Sequence, residues 1–232
     1  AVAYLSYQRA LRAQREGRFT SVVPIKTSSG SVSLDECIRP SLTAERLAAM
    51  PPAFLTLGAA GSDALQLSQY PELTKIAHVH TAGNSPAMCD AAAVLLVGSK
   101  MLASDKGLIP KVRIVDSVTC CGEPLEVVSG CVAATKAILS RNKLSPSDVD
   151  VFEIHEAFAA TIVKLQRELE IDSARLNVNG GCIALGHPMG ATGAIMAGTA
   201  IDELIRCDGS IGVIAASGAA GSGSALLVER CY

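Results

Sequence analysis

"VDVFEIHEAFAATIVKLQREL", residues 149–169, joins two kinds of segment end to end. Its first six residues are an apolar, β-branched and aromatic run that reads as a strand, and the rest reads as a helix. His155 falls at the junction with Glu156 beside it. A side chain there sits at the carboxyl edge of a sheet, where α/β folds form their crevices. A capping histidine satisfied by nearby backbone is the plainer alternative at this point.

The same alternation extends outward on both sides. Upstream, "KVRIVDSVT" (111–119) reads as a strand and "PLEVVSGCVAATKAILSRN" (124–142) as a helix. Downstream, "LNVNG" (176–180) reads as a strand and residues 191–206 as a helix. The chain then closes with two strands in direct succession, "SIGVIAAS" (210–217) and "SALLVER" (224–230), joined by "GAAGSG". Alternating segments imply an α/β layered sandwich, and the hairpin-like end implies a mixed sheet rather than a purely parallel one.

Before residue 111 the order changes. Residues 3–16 read as a helix closed by Gly17, and 18–76, rich in Ser, Pro and short charged pieces, as loops and short helices. "AHVHTAG" (77–83) reads as a strand entering a turn, and "SPAMCDAAAVLLVGSKML" (85–102) as a long, largely buried helix. The boundary expected from this shift lies near 77. It separates an irregular, α-rich loop part (1–77) from a carboxyl-terminal α/β domain (78–232).

Composition narrows the class. The 232 residues are 49% hydrophobic with a formal charge of −2, which offers no electrostatic footprint for nucleic acid or an anionic membrane. The longest apolar runs, such as "AAAVLLV" (91–97), fall well short of the roughly 20 residues a spanning helix needs. The opening "AVAYLSYQRALRAQREG" reads as mid-helix with no leader, so an upstream part is expected. The 8 cysteines are too dispersed for a disulfide scaffold, which fits a reducing compartment, the cytoplasm or an organelle matrix. No metal site is expected, because neither Cys120–Cys121 nor His78-x-His80 joins a second pair at zinc spacing.

Two further stretches bear on chemistry. In "GHPMG" (186–190), Gly186 and Gly190 allow tight bends and Pro188 restrains the residue before it. His187 is thereby expected in a stiff turn with its ring toward a cleft, although an ordinary loop histidine would fit the same residues. "SGAAGSGSA" (217–225) is glycine-rich, yet it lacks dinucleotide-loop spacing and is followed by a strand rather than a helix. Its small residues would instead bring backbone N–H groups close to a ligand, as an oxyanion site demands.

Together "HEAFA" (155–159), "GGCIALGHPMGATG" (180–193) and the terminal glycine-rich hairpin resemble the carboxyl-terminal half of thiolases, the enzymes that cleave or form 3-ketoacyl-CoA. "HTAGNSPAMCDAAAVLL" and "YLSYQRALRAQREGRF" extend the resemblance over nearly the whole chain, and "HEAF" in place of "NEAF" is most similar to the trifunctional-complex β-subunit type. The resemblance implies a thiolase-like layered αβα sandwich. It also implies roles: His187 as the base that activates a nucleophilic cysteine, His155 in an oxyanion hole for the thioester oxygen, and the Ala219 N–H in a second hole. Gly186, Asn84 and Phe158 are implied in substrate binding. Coenzyme A or acyl-CoA is the implied substrate with no further cofactor, and a homo-oligomer or a complex with the missing amino-terminal half is the implied assembly.

Two departures from the family pattern matter. No amino-terminal nucleophile motif is found; Cys131, in "SGCVAAT", is a weak substitute because free cysteines of this kind are usually buried. Ser217 stands where the family places its acid/base cysteine. A thiol titrates near ~8.5 and a hydroxyl nearer the ~15.7 of water, so proton transfer through serine is expected to be slow. The residues therefore leave open three readings: an acyltransferase, a thiolase-like protein that binds CoA esters or a partner subunit without the Claisen step, and a decarboxylase or hydrolase on the same fold.

Overall fold

In the computed structural model, which describes residues 1–231, the chain opens with α1 (Val2–Arg15) and a small hairpin of β1 (Ile25–Thr27) and β2 (Gly30–Val32). Short helices follow: α2 (Ala44–Ala48), α3 (Leu55–Leu57), α4 (Asp63–Gln69) and α5 (Lys100–Asp105). The remainder runs β3 (Val112–Cys121), α6 (Gly130–Arg141), β4 (Val151–Ile154), α7 (Ala159–Leu169), α8 (Cys182–Leu185), α9 (Thr192–Arg206), β5 (Ile211–Ser217) and β6 (Ser222–Arg230).

The four long strands form one mixed sheet in the order β3-β6-β5-β4, with β4 parallel to β5 and the other pairs antiparallel. Alternation along each strand sends side chains to opposite faces. Phe152 and Ile154 of β4, with Val213 and Leu227, pack against Ile138 and Leu139 of α6 and Ile162 and Leu165 of α7. Val151, Ile214 and Val228 point the other way, onto Met196, Ala200 and Leu204 of α9. Helices on both faces of a mixed sheet make an αβα arrangement, which bears out the α/β layered sandwich expected from the alternation. A smaller cluster fixes α1 to α8 through Tyr7, Ala10, Ile183 and Ala184.

Several expected elements differ. Residues 85–99 are not helical; only Lys100–Asp105 is, and Val94, Leu96 and Val97 are exposed rather than buried. A short helix is held by burial of its apolar face, and nothing in the described residues covers this run. "LNVNG" makes a single bridge, Leu176 to Phe152, instead of a strand. Asn177 explains why. Its backbone turns left-handed (φ 45), and its side-chain amide takes over the pairing by accepting from Ile154 N at 2.7 Å and donating to Ile154 O at 2.9 Å.

"AHVHTAG" likewise forms no strand beyond the Pro52–Thr81 bridge, because the chain closes at once into a turn held by Asn84. The expected 124–142 helix divides at Val127, whose φ of 58 cannot continue a helix, into a 3-10 turn (Pro124–Glu126) and α6. The helix expected from 155 begins at Ala159. Residues 155–158 stay outside it, which leaves His155 on the sheet's edge.

Candidate active site

β4 and β5 run parallel, so their carboxyl ends lie side by side, with Ile154 opposite Ala215. His155 continues this pairing by donating its N–H to Ala215 O at 2.8 Å. Ser217 lies two residues further along the same edge. The histidine at the strand-to-helix junction and the start of the glycine-rich hairpin are thus neighbours by sheet register.

His187 meets His155. Its ring lies 4.5 Å from that of His155, centroid to centroid, at an angle of 42°. His155 is 3% exposed, and neither ring nitrogen makes a well-formed hydrogen bond among the described residues, although the Ser217 backbone lies near enough to favour the charged ring slightly. Burial, with the adjacent His187 ring as a smaller cause, lowers its pKa to about 4. His155 is therefore neutral at neutral pH, with one N–H left to give to a ligand.

The turn that carries His187 is fixed on three sides. Gly186 adopts φ 82, a left-handed conformation that suits glycine. The backbone N–H of His187 donates to Ala87 O at 2.8 Å. Nδ1 pairs with Thr192 Oγ1 at 2.7 Å, so Nε2 is the nitrogen available for chemistry. Burial lowers the pKa of His187, which keeps its ring neutral and able to accept a proton.

Glu156 explains how this edge is held. It is buried, and burial raises its carboxyl pKa. Its Oε2 accepts from Ser6 Oγ at 2.7 Å and Ile183 N at 3.0 Å, and its Oε1 accepts from Asn177 Nδ2 at 3.2 Å. One carboxyl thereby ties α1, the end of β4 and the approach to α8 together. Ser6, Asn177 and Thr192 were not singled out from the sequence. A hydroxyl five residues after a histidine signals little by itself, but Asn177 opens "NVNGG", an arrangement suited to left-handed backbone.

At the hairpin, Ser217 Oγ accepts from Cys131 N at 2.9 Å, in the first turn of α6. Gly218, Gly221 and Ser222 all spend their N–H groups inside the loop or on Val127, whereas the N–H groups of Ala219 and Ala220 make no hydrogen bond among the described residues. Both are exposed donors, of the kind an oxyanion site requires. Cys131 is fully buried, and burial pushes its thiol up to about 11, which makes it a poor nucleophile.

Asn84 and Phe158 lie on the flank. The Asn84 side chain is committed to its own turn, accepting from Thr81 N at 2.9 Å and donating to Val79 O at 2.8 Å, while the main-chain carbonyl of Asn84 accepts from Ala159 N at 3.0 Å. It positions the start of α7. Phe158 packs on His80, with ring centroids 4.5 Å apart, and on Phe54. Among the described residues no group of three or more His, Cys, Asp and Glu side chains is placed to hold a metal ion.

At one edge of the layered αβα fold two neutral histidines are thus in ring contact, with Ser217 two residues along the strand that pairs with the first of them. Comparison with known proteins gives the family. The thiolase C-terminal domain matches residues 108–230 and the thiolase N-terminal domain residues 1–101, and the chain belongs to the thiolase family. It is 36% identical over 98% of its length to the 3-oxoadipyl-CoA/3-oxo-5,6-dehydrosuberyl-CoA thiolase of Escherichia coli K12, of which it covers 54%. It is 34% identical over 97% of its length to the 3-ketoacyl-CoA thiolase of Colwellia psychrerythraea, covering 55% of that protein. The crystal structure of the Bacillus anthracis acetyl-CoA acetyltransferase superposes with a TM-score of 0.82 at 34% identity, over 99% of this chain and 55% of that one. The chain spans about half the length of these relatives.

Proposed function

We propose that this chain supplies the base and the oxyanion donors of a thiolase-type acyltransferase acting on 3-ketoacyl-CoA. The observation that carries the reading is the His155–His187 pair, two neutral imidazoles in ring contact at the sheet edge. His187, oriented by Thr192, withdraws the thiol proton from a nucleophilic cysteine supplied by the rest of the enzyme, since only the thiolate attacks a thioester. His155 donates to the thioester oxygen as enolate charge gathers there, and the Ala219 N–H holds the oxygen of the acyl-enzyme. Coenzyme A and its esters are the substrates, with no separate cofactor. The closeness to the trifunctional-complex β-subunit type rests on His155 standing in the "HEAF" motif. A homo-oligomer, or assembly with an amino-terminal half, completes the site.

Ser217 favours a second reading, a thiolase-like protein that binds CoA esters without the carbon–carbon step. Its hydroxyl is a weak acid, although the Cys131 N–H at the start of α6 favours negative charge on that oxygen. Mass spectrometry of the full-length protein incubated with a 3-ketoacyl-CoA separates the two. An acyl adduct on cysteine, with turnover that rises in Ser217→Cys, is expected for the acyltransferase; binding without an adduct in either form favours the second reading.

A further inference from the structure

Gly186 has no side chain, and two sulfurs occupy the space one would fill. A Cβ built on it would lie 2.5 Å from Sγ of Cys89 and 2.9 Å from Sγ of Cys37. The two sulfurs are therefore no farther apart than those distances laid end to end. Both are free, partly exposed thiols.

Each thiol is anchored to a different flank of the His187 turn. The N–H of Cys37 donates to Asp35 Oδ1 at 2.7 Å, and the next residue, Ile38, is buried in the cluster that joins α1 to α8. Cys89 follows Met88, which bridges to His187, and Ala87, whose carbonyl holds the His187 N–H. Neither cysteine takes part in the chemistry proposed above.

We propose that Cys37 and Cys89 form a dithiol modification site, which low-molecular-weight disulfides convert reversibly to an intramolecular disulfide beneath the His187 turn. Taking glutathione disulfide as the oxidant, the Cys89 thiol loses its proton and attacks one sulfur of the reagent. The reagent's S–S bond breaks, one reduced glutathione leaves with that proton, and Cys89 carries the other glutathionyl group. Cys37 then loses its proton and attacks the Cys89 sulfur, forming the protein disulfide and releasing a second reduced glutathione. Two protein thiols lose two electrons and two protons, and the reagent gains them. Cys37 acts second because burial, then Asp35 and Cys89, hold its thiol up to about 11, so it is the poorer attacker in free solution. Bond formation brings the sulfurs to about 2.05 Å and draws the 87–89 segment, and with it the carbonyl that holds His187.

The test incubates the 232-residue chain with glutathione disulfide, quenches in acid, blocks remaining thiols, digests without reduction and reads linked peptides by mass spectrometry. In the folded chain a Cys37–Cys89 cross-link should exceed the Cys89 glutathione adduct by about tenfold, since the fold holds both sulfurs against Gly186, and dithiothreitol should remove it. Cys37→Ser should abolish the link and leave the adduct on Cys89. Exposed Cys207 should carry only the adduct and serves as the control for oxidant strength. The proposal is overturned if Cys207 is modified while the link is absent, or if the link forms equally well in chain unfolded by guanidinium.

Discussion

Acidification should unfold this chain partly through His155, and the size of the effect follows from its burial. The ring is 3% exposed beside His187, and its pKa falls from 6.5 to about 4 on folding. Between those values the unfolded state binds a proton that the folded state refuses, so stability is fully present above the unfolded value and is lost as pH falls. At 1.36 kcal/mol per pH unit the loss amounts to about 3 kcal/mol between pH 6.5 and 4, levelling off below. Urea unfolding of the wild type and of His155→Gln across pH 8 to 4 isolates this contribution, because glutamine does not titrate and the other groups cancel in the difference. The wild type should lose about 3 kcal/mol more than the variant over that window. Parallel curves would refute the burial of a neutral ring at this position.

Other substitutions probe the frame and the orientation of the base. Phe152→Ala empties the middle of the α6–α7 face, where Phe152 is completely buried, and should cost about 3–5 kcal/mol by chemical denaturation. Thr192→Val removes the hydroxyl that holds His187 Nδ1 and, in the full-length protein, should lower kcat about tenfold while KM stays within about twofold; a rise in KM with kcat unchanged would argue against an orienting role. Glu156→Ala strips one acceptor from Ser6, Asn177 and Ile183 together and should destabilise by about 2–4 kcal/mol, read from the urea midpoint.

What could be read directly from the residues tracks how local the physical cause is. α9 and the β5–β6 hairpin stand where periodicity and small-residue turns put them, because each buries its apolar face within the same domain. Residues 85–99 defeated the same logic: an apolar run reports a need for burial, but not whether strand, helix or another surface meets it. The "LNVNG" strand was lost to one side chain, Asn177, which supplies the pairing that a further strand would have made. At the site, the individual histidines were legible from their motifs. Their juxtaposition followed only from the family resemblance, which places both in one crevice; spacing alone does not show it, since it depends on where β4 ends and where α8 turns back at Gly186. The proximity of Cys37 and Cys89 was equally hidden, because nothing in the spacing of two distant loops shows that a glycine leaves room for both sulfurs.

Thiolysis by the full-length protein, with and without the imidazole at 187, tests the assignment most directly. A 3-ketoacyl-CoA and free coenzyme A should yield acetyl-CoA and the acyl-CoA shortened by two carbons, and His187→Ala should lower kcat/KM by at least about a hundredfold, the lower end of what a positioned general base contributes. Unchanged turnover in His187→Ala, or cleavage to any product other than those two thioesters, would contradict the account.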